Sequence, residues 1–467
     1  MATFTVTNLL DFGTGSLRQA ILDANGLGGA DEIFFDFGLS GGTINLTGGE
    51  LLITDDLTIS GLGADFLSVD AGGFSRVFNI GGTDPIDVLF EGLTITGGTS
   101  NGNGGGILNN FNSALTLTNS IISGNQAAFD GGGIANLGTL TVIESLVSGN
   151  LAGDDAAGLV NFSSGTLMVI DSTLSGNSAV DVGGGIGNNG ELTVINSSVS
   201  ENSARLGGGV QNFLGQATII DSTLNNNSSR VGGGIFNEPD PTSILTVTNS
   251  TISGNTAETN GGGIFNGSSS RLNVSNSTIT DNTADSDGNG SGDGGGIFNL
   301  SSAEVENTII AGNFDATNNA GLGNILPDVS GEFTSNGYNL IGNADGGTGF
   351  NAIGDLVGTS TNLLDPLLGS LQDNGGRTLT HALLSGSPAI DAGDPNFTPP
   401  PEFDQRGIGF NRIVYGNNDT IAVIDIGAFE VQQQPTSVPE PSSMLGLFGI
   451  VIWGTGSILR RKQQQKL

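Results

Sequence analysis

Gly-Gly-Gly-Ile107-Leu-Asn109 is the first copy of a phrase that recurs down the middle of the chain. The aliphatic residue and the Asn of this phrase return together at Ile134/Asn136, Leu159/Asn161, Ile186/Asn188, Val210/Asn212, Ile235/Asn237, Ile264/Asn266 and Ile297/Asn299. A second phrase, Ser-x-aliphatic-x-x-Asn, ends at Asn125, Asn150, Asn177, Asn202, Asn227, Asn255, Asn282 and Asn313. The period is about 27 residues, and a fixed period predicts structural units that stack on one another.

Each unit has room for three short strands. In Leu115-Thr116-Leu117-Thr118 and its counterparts, apolar and polar residues alternate, as in a strand with one buried face. Glycine and β-branched residues disfavour helix, and the chain has 80 Gly. Three strands and three corners in each period predict an all-β fold, a right-handed parallel β-helix (a solenoid of the pectin-lyase type) with coils about 4.8 Å apart.

Stacking in register explains why only 12 % of the residues are charged. A charge repeated at one position of every coil would lie about 4.8 Å from its copies and repel them. Asn avoids this repulsion, tolerates left-handed corners and can form amide ladders along the stack. We therefore predict that the two Asn columns are structural and do not bind a ligand.

The charge of the chain excludes some partners. With 46 acidic and 12 basic residues the formal net charge is −34, and the first lysine is Lys462. Such a surface repels nucleic acid and anionic lipid. The absence of Cys excludes disulfides and thiol chemistry, and the first residues show no secretory signal.

The chain ends in three successive segments. Residues 431–441 form a predicted linker that contains Pro439, Glu440 and Pro441. Residues 442–467 form a predicted transmembrane sorting tail, apolar from Met444 to Leu459 and followed by Arg460, Arg461 and Lys462. A helix of this length nearly crosses a bilayer, with the basic cluster on the cytoplasmic side. A buried terminal helix is the alternative.

This tail closely resembles the PEP-CTERM sorting signal of bacterial exported proteins. The resemblance implies that exosortase-like sorting machinery recognises the Pro-Glu-Pro motif. It also implies an exported protein at the cell surface or outer envelope, or released into the extracellular matrix, with exopolysaccharide as a possible partner. The hydrophobic helix would anchor the protein transiently in the inner membrane.

Residues 1–100 are predicted to form an N-terminal cap and irregular first coils, followed by regular coils over residues 101–321. Ser16 can cap a short helix with Gln19 three residues on, and Asn25-Gly26 can end it. The apolar face of this helix would consist of Leu17, Ala20, Ile21 and Ala24. The stretch from Phe4 to Ala20 resembles the CSLREA-type start of bacterial surface β-helix proteins.

Residues 322–430 are predicted to be terminal coils. They contain Asp373-Asn-Gly-Gly-Arg377, Asp404-Gln-Arg-Gly407 and Asp425-Ile-Gly-Ala-Phe-Glu430, and they resemble the choice-of-anchor Q region. His381, the only His, lies between these motifs, and a triad with Ser387 and Asp391 is conceivable. We expect these residues to tie the last coils together instead, since no nucleophile-elbow sequence surrounds Ser387.

A polysaccharide lyase or glycoside hydrolase is the main alternative to a non-enzymatic role. Two residues before successive glycine-rich runs lie Asp154, Asp181, Arg205 and Arg230, which stacking would place on one surface line. A hydrolase needs convergent carboxylates, and a lyase needs a base beside a cation. The structural alternative is pairing of opposite charges between coils.

Calcium is a possible ligand, although we expect no cofactor to be required. Asp285, Asp287, Asn289 and Asp293 offer oxygen atoms at the alternating spacing of a calcium loop. Gly296 stands where such a loop has its bidentate Glu, so a flexible acidic loop is the alternative. The sequence as a whole predicts a non-enzymatic exported protein, adhesive or structural, that contacts polysaccharide.

Overall fold

The computed structural model describes residues 1–315, 328–414 and 423–432. Residues Met1–Gln432 form one compact unit. The predicted sorting tail and most of the predicted linker, including Pro439, Glu440, Pro441, Arg460, Arg461 and Lys462, lie outside the described residues. Within the described ranges no helix is long and apolar enough to cross a membrane.

Three long parallel sheets of 13, 13 and 12 strands run along the described part of the chain, and each complete coil of the solenoid contributes one strand to each sheet. Sheet A consists of Thr3–Val6, Asp31–Phe35, Leu57–Ser60, Ile86–Glu91, Ser113–Thr118, Thr139–Ile143, Thr166–Ile170, Glu191–Ile195, Gln216–Ile220, Ile244–Thr248, Arg271–Ser275, Ser302–Glu306 and Thr334–Gly337. Sheet B consists of Gly42–Asn45, Leu67–Asp70, Thr94–Thr96, Ile121–Ser123, Leu146–Ser148, Thr173–Ser175, Ser198–Ser200, Thr223–Asn225, Thr251–Ser253, Thr278–Thr280, Ile309–Ile310, Leu340–Ile341 and Leu356–Val357. Sheet C consists of Leu51–Ile53, Phe78–Ile80, Ile107–Asn109, Ile134–Asn136, Leu159–Asn161, Ile186–Asn188, Val210–Asn212, Ile235–Asn237, Ile264–Asn266, Ile297–Asn299, Val329–Glu332 and Gly347–Thr348.

Shorter elements complete the described part. Two parallel four-stranded sheets lie between sheets B and C in chain order. Their strands are Thr99–Ser100, Gln126–Ala127, Leu151–Ala152 and Ser178–Ala179, and then Ser228–Ser229, Thr256–Ala257, Thr283–Ala284 and Phe314–Asp315. Leu368–Gln372 and Thr380–Leu383 form an antiparallel pair. A short 3-10 helix spans Phe37–Leu39.

The register of the sheets confirms the predicted parallel β-solenoid. In sheet C, Ile107 pairs with Ile134 and Asn109 with Asn136, so equivalent residues of successive phrases lie beside each other. The inward aliphatics, such as Leu115 and Ile122, are buried in one continuous core. Burial of each such side chain contributes about 2 kcal/mol against the entropy cost of ordering the coil.

The polar corner between sheets A and B has left-handed backbone. Asn119, Asp171 and Asn249 have φ values of 48°, 51° and 52°. Asn and Asp tolerate this conformation better than other residues with a side chain, which explains their recurrence at this position.

Both Asn columns form the predicted ladders. In the first, Nδ2 of Asn150 donates to Oδ1 of Asn177 and to the carbonyl of Ile122, at 3.0 Å each. Oδ1 of Asn177 also accepts from the backbone N–H of Asn150. The same bonds repeat from Asn125 to Asn313, so the amides point in one direction and their hydrogen-bonding groups are satisfied. The second ladder runs from Asn109 to Asn299.

The N-terminal cap is confirmed. The helix spans Leu17–Asn25, and the side chain of Ser16 accepts from the backbone N–H of Gln19. The predicted face of Leu17, Ala20, Ile21 and Ala24 is buried.

The prediction for residues 322–430 is wrong in part. Coils continue only to Leu356–Val357. Residues 366–414 and 423–432, here called the return segment, lie along the outer face of sheet B. Hydrogen bonds join Leu379 to Thr223, Phe403 to Asn249, and Ala428 to Thr278. The outer face of sheet B carries Thr, Ser and Asn side chains at these coils, and these side chains form hydrogen bonds with the return segment.

Candidate functional site

One edge of the solenoid carries the four residues of the predicted surface line. The backbone N–H of Asp181 donates to the carbonyl of Asp154 at 3.0 Å, and that of Arg230 to the carbonyl of Arg205 at 2.9 Å. The N–H of Leu206, the residue after Arg205, donates to the carbonyl of Asp181. The four residues therefore lie on successive coils.

Opposite charges pair on this edge. Arg205 and Asp181 form an ion pair in which both side chains are more than a third exposed. Because water screens such a pair, it contributes little to stability. Its chemical effect is larger, since it neutralises the cation that a lyase would use to bind a uronate.

Sequence reasoning missed Asp155. Its carboxylate and those of Asp154 and Asp181 lie within 4.8 Å of one another. Burial raises the pKa of Asp155 to about 7, and the charges of Asp130, Asp154 and Asp181 add to the shift. Burial also raises the pKa of Asp130, whose carboxylate accepts the backbone N–H of Asp155 at 3.3 Å. Asp130 directly precedes a glycine run and Asp155 precedes its counterpart, Ala156-Ala-Gly158, and that shared position is the signal in the sequence.

An exposed aromatic residue lies one coil from Asp154 on the same edge. Phe129 is 54 % exposed, and its carbonyl accepts the backbone N–H of Asp154 at 3.2 Å. Phe129, Asp154 and Asp181 thus occupy three successive coils. We call Phe129, Asp154, Asp155, Asp181 and Arg205 the acidic edge. It combines a flat apolar ring with hydrogen-bond acceptors and one bound cation.

The lone His does not belong to a catalytic triad. His381 is buried, with Nε2 2.8 Å from Oγ of Ser253 and Nδ1 2.7 Å from the carbonyl oxygen of Gly369. Burial lowers the pKa of His381. The hydroxyl of Ser387 donates to the carbonyl of Pro366 at 2.6 Å, and the N–H of Asp391 donates to Asp425. These contacts hold the return segment in place.

Charged groups of the return segment are buried. Arg412 is fully buried and donates to the carbonyl of Gly427. Burial raises the pKa of Glu430 to about 9 and the pKa of Asp425 to about 6. The charge of Asp425 also raises the pKa of Glu430, whereas Arg412 lowers it. Protonation relieves the repulsion between the two acids.

A groove of about 700 Å³ lies between sheet A and the return segment. Its floor includes Ile195 and Ile220, and its other wall includes Arg377, Pro400 and Ile408. Asp171, Asp221 and Glu402 also line it. Burial raises the pKa of Asp221 to about 6.

The predicted calcium loop is internally hydrogen-bonded. Oδ1 of Asp285 accepts the N–H groups of Asn289, Gly290 and Ser291, and Asp287 binds the side chain of Asn289. Burial raises the pKa of Asp293, with contributions from the charges of Asp315 and Asp285. These hydrogen bonds within the loop do not test calcium binding, which stays a prediction.

Comparison with known proteins identifies the tail. Residues 437–462 match the model of the PEP-CTERM protein-sorting motif. The chain carries a PEP-CTERM sorting motif. This motif marks proteins for export and for sorting at the cell surface, and exosortases in general recognise it.

Two solved structures are similar to this chain at low identity. No curated protein matches it. Pectate lyase Pel9A is 13 % identical, with 92 % of this chain and 96 % of that chain covered and a TM-score of 0.46. A mannuronic acid-specific polysaccharide family 6 lyase from human gut microbiota is 11 % identical, with 72 % and 86 % covered and a TM-score of 0.36. No conclusion about activity follows from either likeness.

Proposed function

We propose that this PEP-CTERM protein is a non-enzymatic, adhesive or structural component of the cell surface or extracellular matrix that binds polysaccharide. The observation that carries the proposal is the acidic edge, where Phe129 lies one coil from Asp154 and two from Asp181. An exposed ring can stack on the C–H face of a sugar. Neighbouring carboxylates can accept hydrogen bonds from its hydroxyls and fix its orientation.

The net charge of the protein limits the class of polysaccharide that it can bind. All but one of the 46 acidic residues and eight of the 12 basic residues precede residue 433, so the body is strongly negative. An acidic polysaccharide would be repelled by this surface. We infer that the ligand is a neutral or amino-sugar polymer.

A binding experiment tests the proposal. The purified protein is incubated with insoluble neutral and amino-sugar polysaccharides, and the bound fraction is measured for the parent and for Phe129→Ala and Asp154→Asn. Phe111→Ala is the matched control, because Phe111 is 57 % exposed on another corner. We expect binding to fall in the first two variants only. Equal binding by all four proteins would refute the role of this edge.

A glycoside hydrolase is the second candidate, and the pKa of Asp155 favours it. A carboxylic acid with a pKa of about 7 is suited to protonate a leaving oxygen, and Asp154 and Asp181 lie beside it as the second carboxyl group that a hydrolase needs. Release of reducing ends that disappears in Asp155→Asn would establish this candidate. Release of unsaturated products from acidic polysaccharides, lost in an Asp181→Asn/Arg205→Gln variant, would establish a lyase.

We further propose that the tail is inserted and processed by sorting machinery of the exosortase class. Pro439, Glu440 and Pro441 would be read by that machinery, residues 442–467 would span the inner membrane, and Arg460, Arg461 and Lys462 would remain in the cytoplasm. Fractionation of cells that express Glu440→Ala would test this step. Normal release or display of the variant would contradict it.

A further inference from the structure

The side chain of Gln405 is enclosed by hydroxyl groups where the return segment meets sheet B. Gln405, Thr223 and Thr251 are fully buried, and Thr378 is nearly so. The hydroxyl of Thr251 donates to Oε1 of Gln405 at 2.5 Å. Nε2 of Gln405 donates to Oγ1 of Thr223 at 2.8 Å and to Oγ1 of Thr378 at 2.9 Å.

We propose that Thr251 and Gln405 form an intramolecular ester that fastens the return segment to the solenoid. A carbonyl bond is about 1.23 Å long, so Oγ1 of Thr251 can lie no farther than about 3.7 Å from Cδ of Gln405. Nucleophiles attack from about 3–3.5 Å. Burial holds the two groups together and excludes the water that would compete for the amide.

The reaction balances without another reagent. Oγ1 of Thr251 bonds to Cδ of Gln405 while the hydroxyl proton passes to Oε1, to which it is already hydrogen-bonded. The proton then moves to Nε2, the Cδ–Nε2 bond breaks with its electron pair on nitrogen, and the carbonyl re-forms. One ester and one molecule of ammonia replace one hydroxyl and one primary amide.

The other two hydroxyls fit a different role. Thr223 donates its hydrogen to the carbonyl of Leu379 at 2.6 Å, and Thr378 donates to the carbonyl of Asp221 at 3.2 Å. Their lone pairs therefore accept the N–H groups of Gln405, and the two hydroxyls hold the amide in place. Only Thr251 directs its hydroxyl at the amide oxygen.

The ester would close a chain loop between residues 251 and 405. Such a link restricts the unfolded chain and resists displacement of the return segment by force. It would not depend on polysaccharide binding, because the acidic edge lies on other coils. An exported protein exposed to shear would gain mechanical stability from it.

Mass spectrometry of the full chain tests the proposal. After incubation overnight at neutral pH, the intact protein should be lighter than its sequence mass by one ammonia. Trypsin digestion of the denatured chain should yield peptide 231–271 joined to peptide 378–406, since Arg residues flank both. Mild alkali should separate them. A link from peptide 206–230 would instead identify Thr223 as the nucleophile and overturn the assignment.

Variants separate the ester from simple packing. Thr251→Val should restore the full sequence mass and lower the Tm, whereas Thr251→Ser should retain the link. Thr246→Val, at an outward position of sheet A on the same coil, should retain it as well. An unmodified mass in the parent protein, or a mass shifted only by deamidation, would refute the ester.

Discussion

Nδ2 of Asn313 donates to Oδ1 of Asp328 at 2.9 Å, and this bond ends the first asparagine ladder. Oδ1 of Asp328 also accepts the N–H of Asn313, while Oδ2 accepts the N–H of Asn343 at 2.7 Å. An Asn at this place would direct an NH₂ group at another N–H. The ladder therefore requires a residue that only accepts hydrogen bonds at its end.

Replacing Asp328 should destabilise the last coils. Asp328→Ala leaves three buried N–H groups without an acceptor, and each such loss costs about 1–3 kcal/mol. We expect a loss of about 3 kcal/mol or more, measured by urea denaturation. Asp240→Ala is the control, because its N–H partner Thr242 is exposed and can bind water. Equal losses in both variants would contradict the role of the ladder.

The coils were predictable because each contact is repeated in the sequence. Asn150 and Asn177 occupy the same place in two copies of one phrase, so stacking alone predicts their bond. The return segment was not predictable, because its contacts occur once and join distant residues, as Thr251 and Gln405 do across 154 positions. Periodicity contains no information about such a contact.

The same reasoning applies to the acidic edge. Asp154 and Asp181 were found because they share a position relative to the glycine-rich runs. The position of Asp155 is repeated in the sequence at Asp130, but its raised pKa depends on burial and on the charges of neighbouring coils, which only coordinates show. Asp328 was missed because it departs from the Asn pattern that it completes.

Stability should depend on pH through Asp155. Its pKa in the folded protein, about 7, lies above its unfolded value of 3.8, so the folded state binds the proton more tightly. The stability that this group contributes is present below pH 3.8 and is lost as the pH rises through about 7. We expect Asp155→Asn to raise the Tm at pH 8 and to have less effect at pH 4. Asp84→Asn, at an exposed site, is the control and should show no such difference.

Calcium should raise the Tm if the loop of Asp285, Asp287, Asn289 and Asp293 binds it. Burial raises the pKa of Asp293, and the cation would relieve the repulsion from Asp315 and Asp285 that adds to this shift. The measurement is the Tm with calcium and with chelator, for the parent and for Asp287→Asn. We expect the calcium-dependent shift to shrink in the variant. No shift in the parent would exclude the loop as a site, and an unchanged shift in the variant would move the site elsewhere.

Two arginines of the return segment should differ in their effects. Arg406 lies between the rings of Phe410 and Phe429, 3.9 and 3.7 Å from their centroids, and its ion pair with Asp404 is buried. Arg406→Met leaves that carboxylate without its cation, at a cost of about 3–5 kcal/mol. Arg377 is 56 % exposed and 3.5 Å from Glu144, so Arg377→Ala should cost less than about 1 kcal/mol.

Hydrogen exchange distinguishes release of the return segment from general destabilisation. The segment covers strands Thr223–Asn225, Thr251–Ser253 and Thr278–Thr280, which are buried on both faces, whereas Thr173–Ser175 is half-exposed on its outer face. If Arg406 holds the segment down, Arg406→Met should increase exchange in the three covered strands and leave Thr173–Ser175 unchanged. Faster exchange in all four strands would mean that the buried ion pair supports the whole solenoid. Release of the return segment alone cannot increase exchange in Thr173–Ser175, because the segment does not cover that strand.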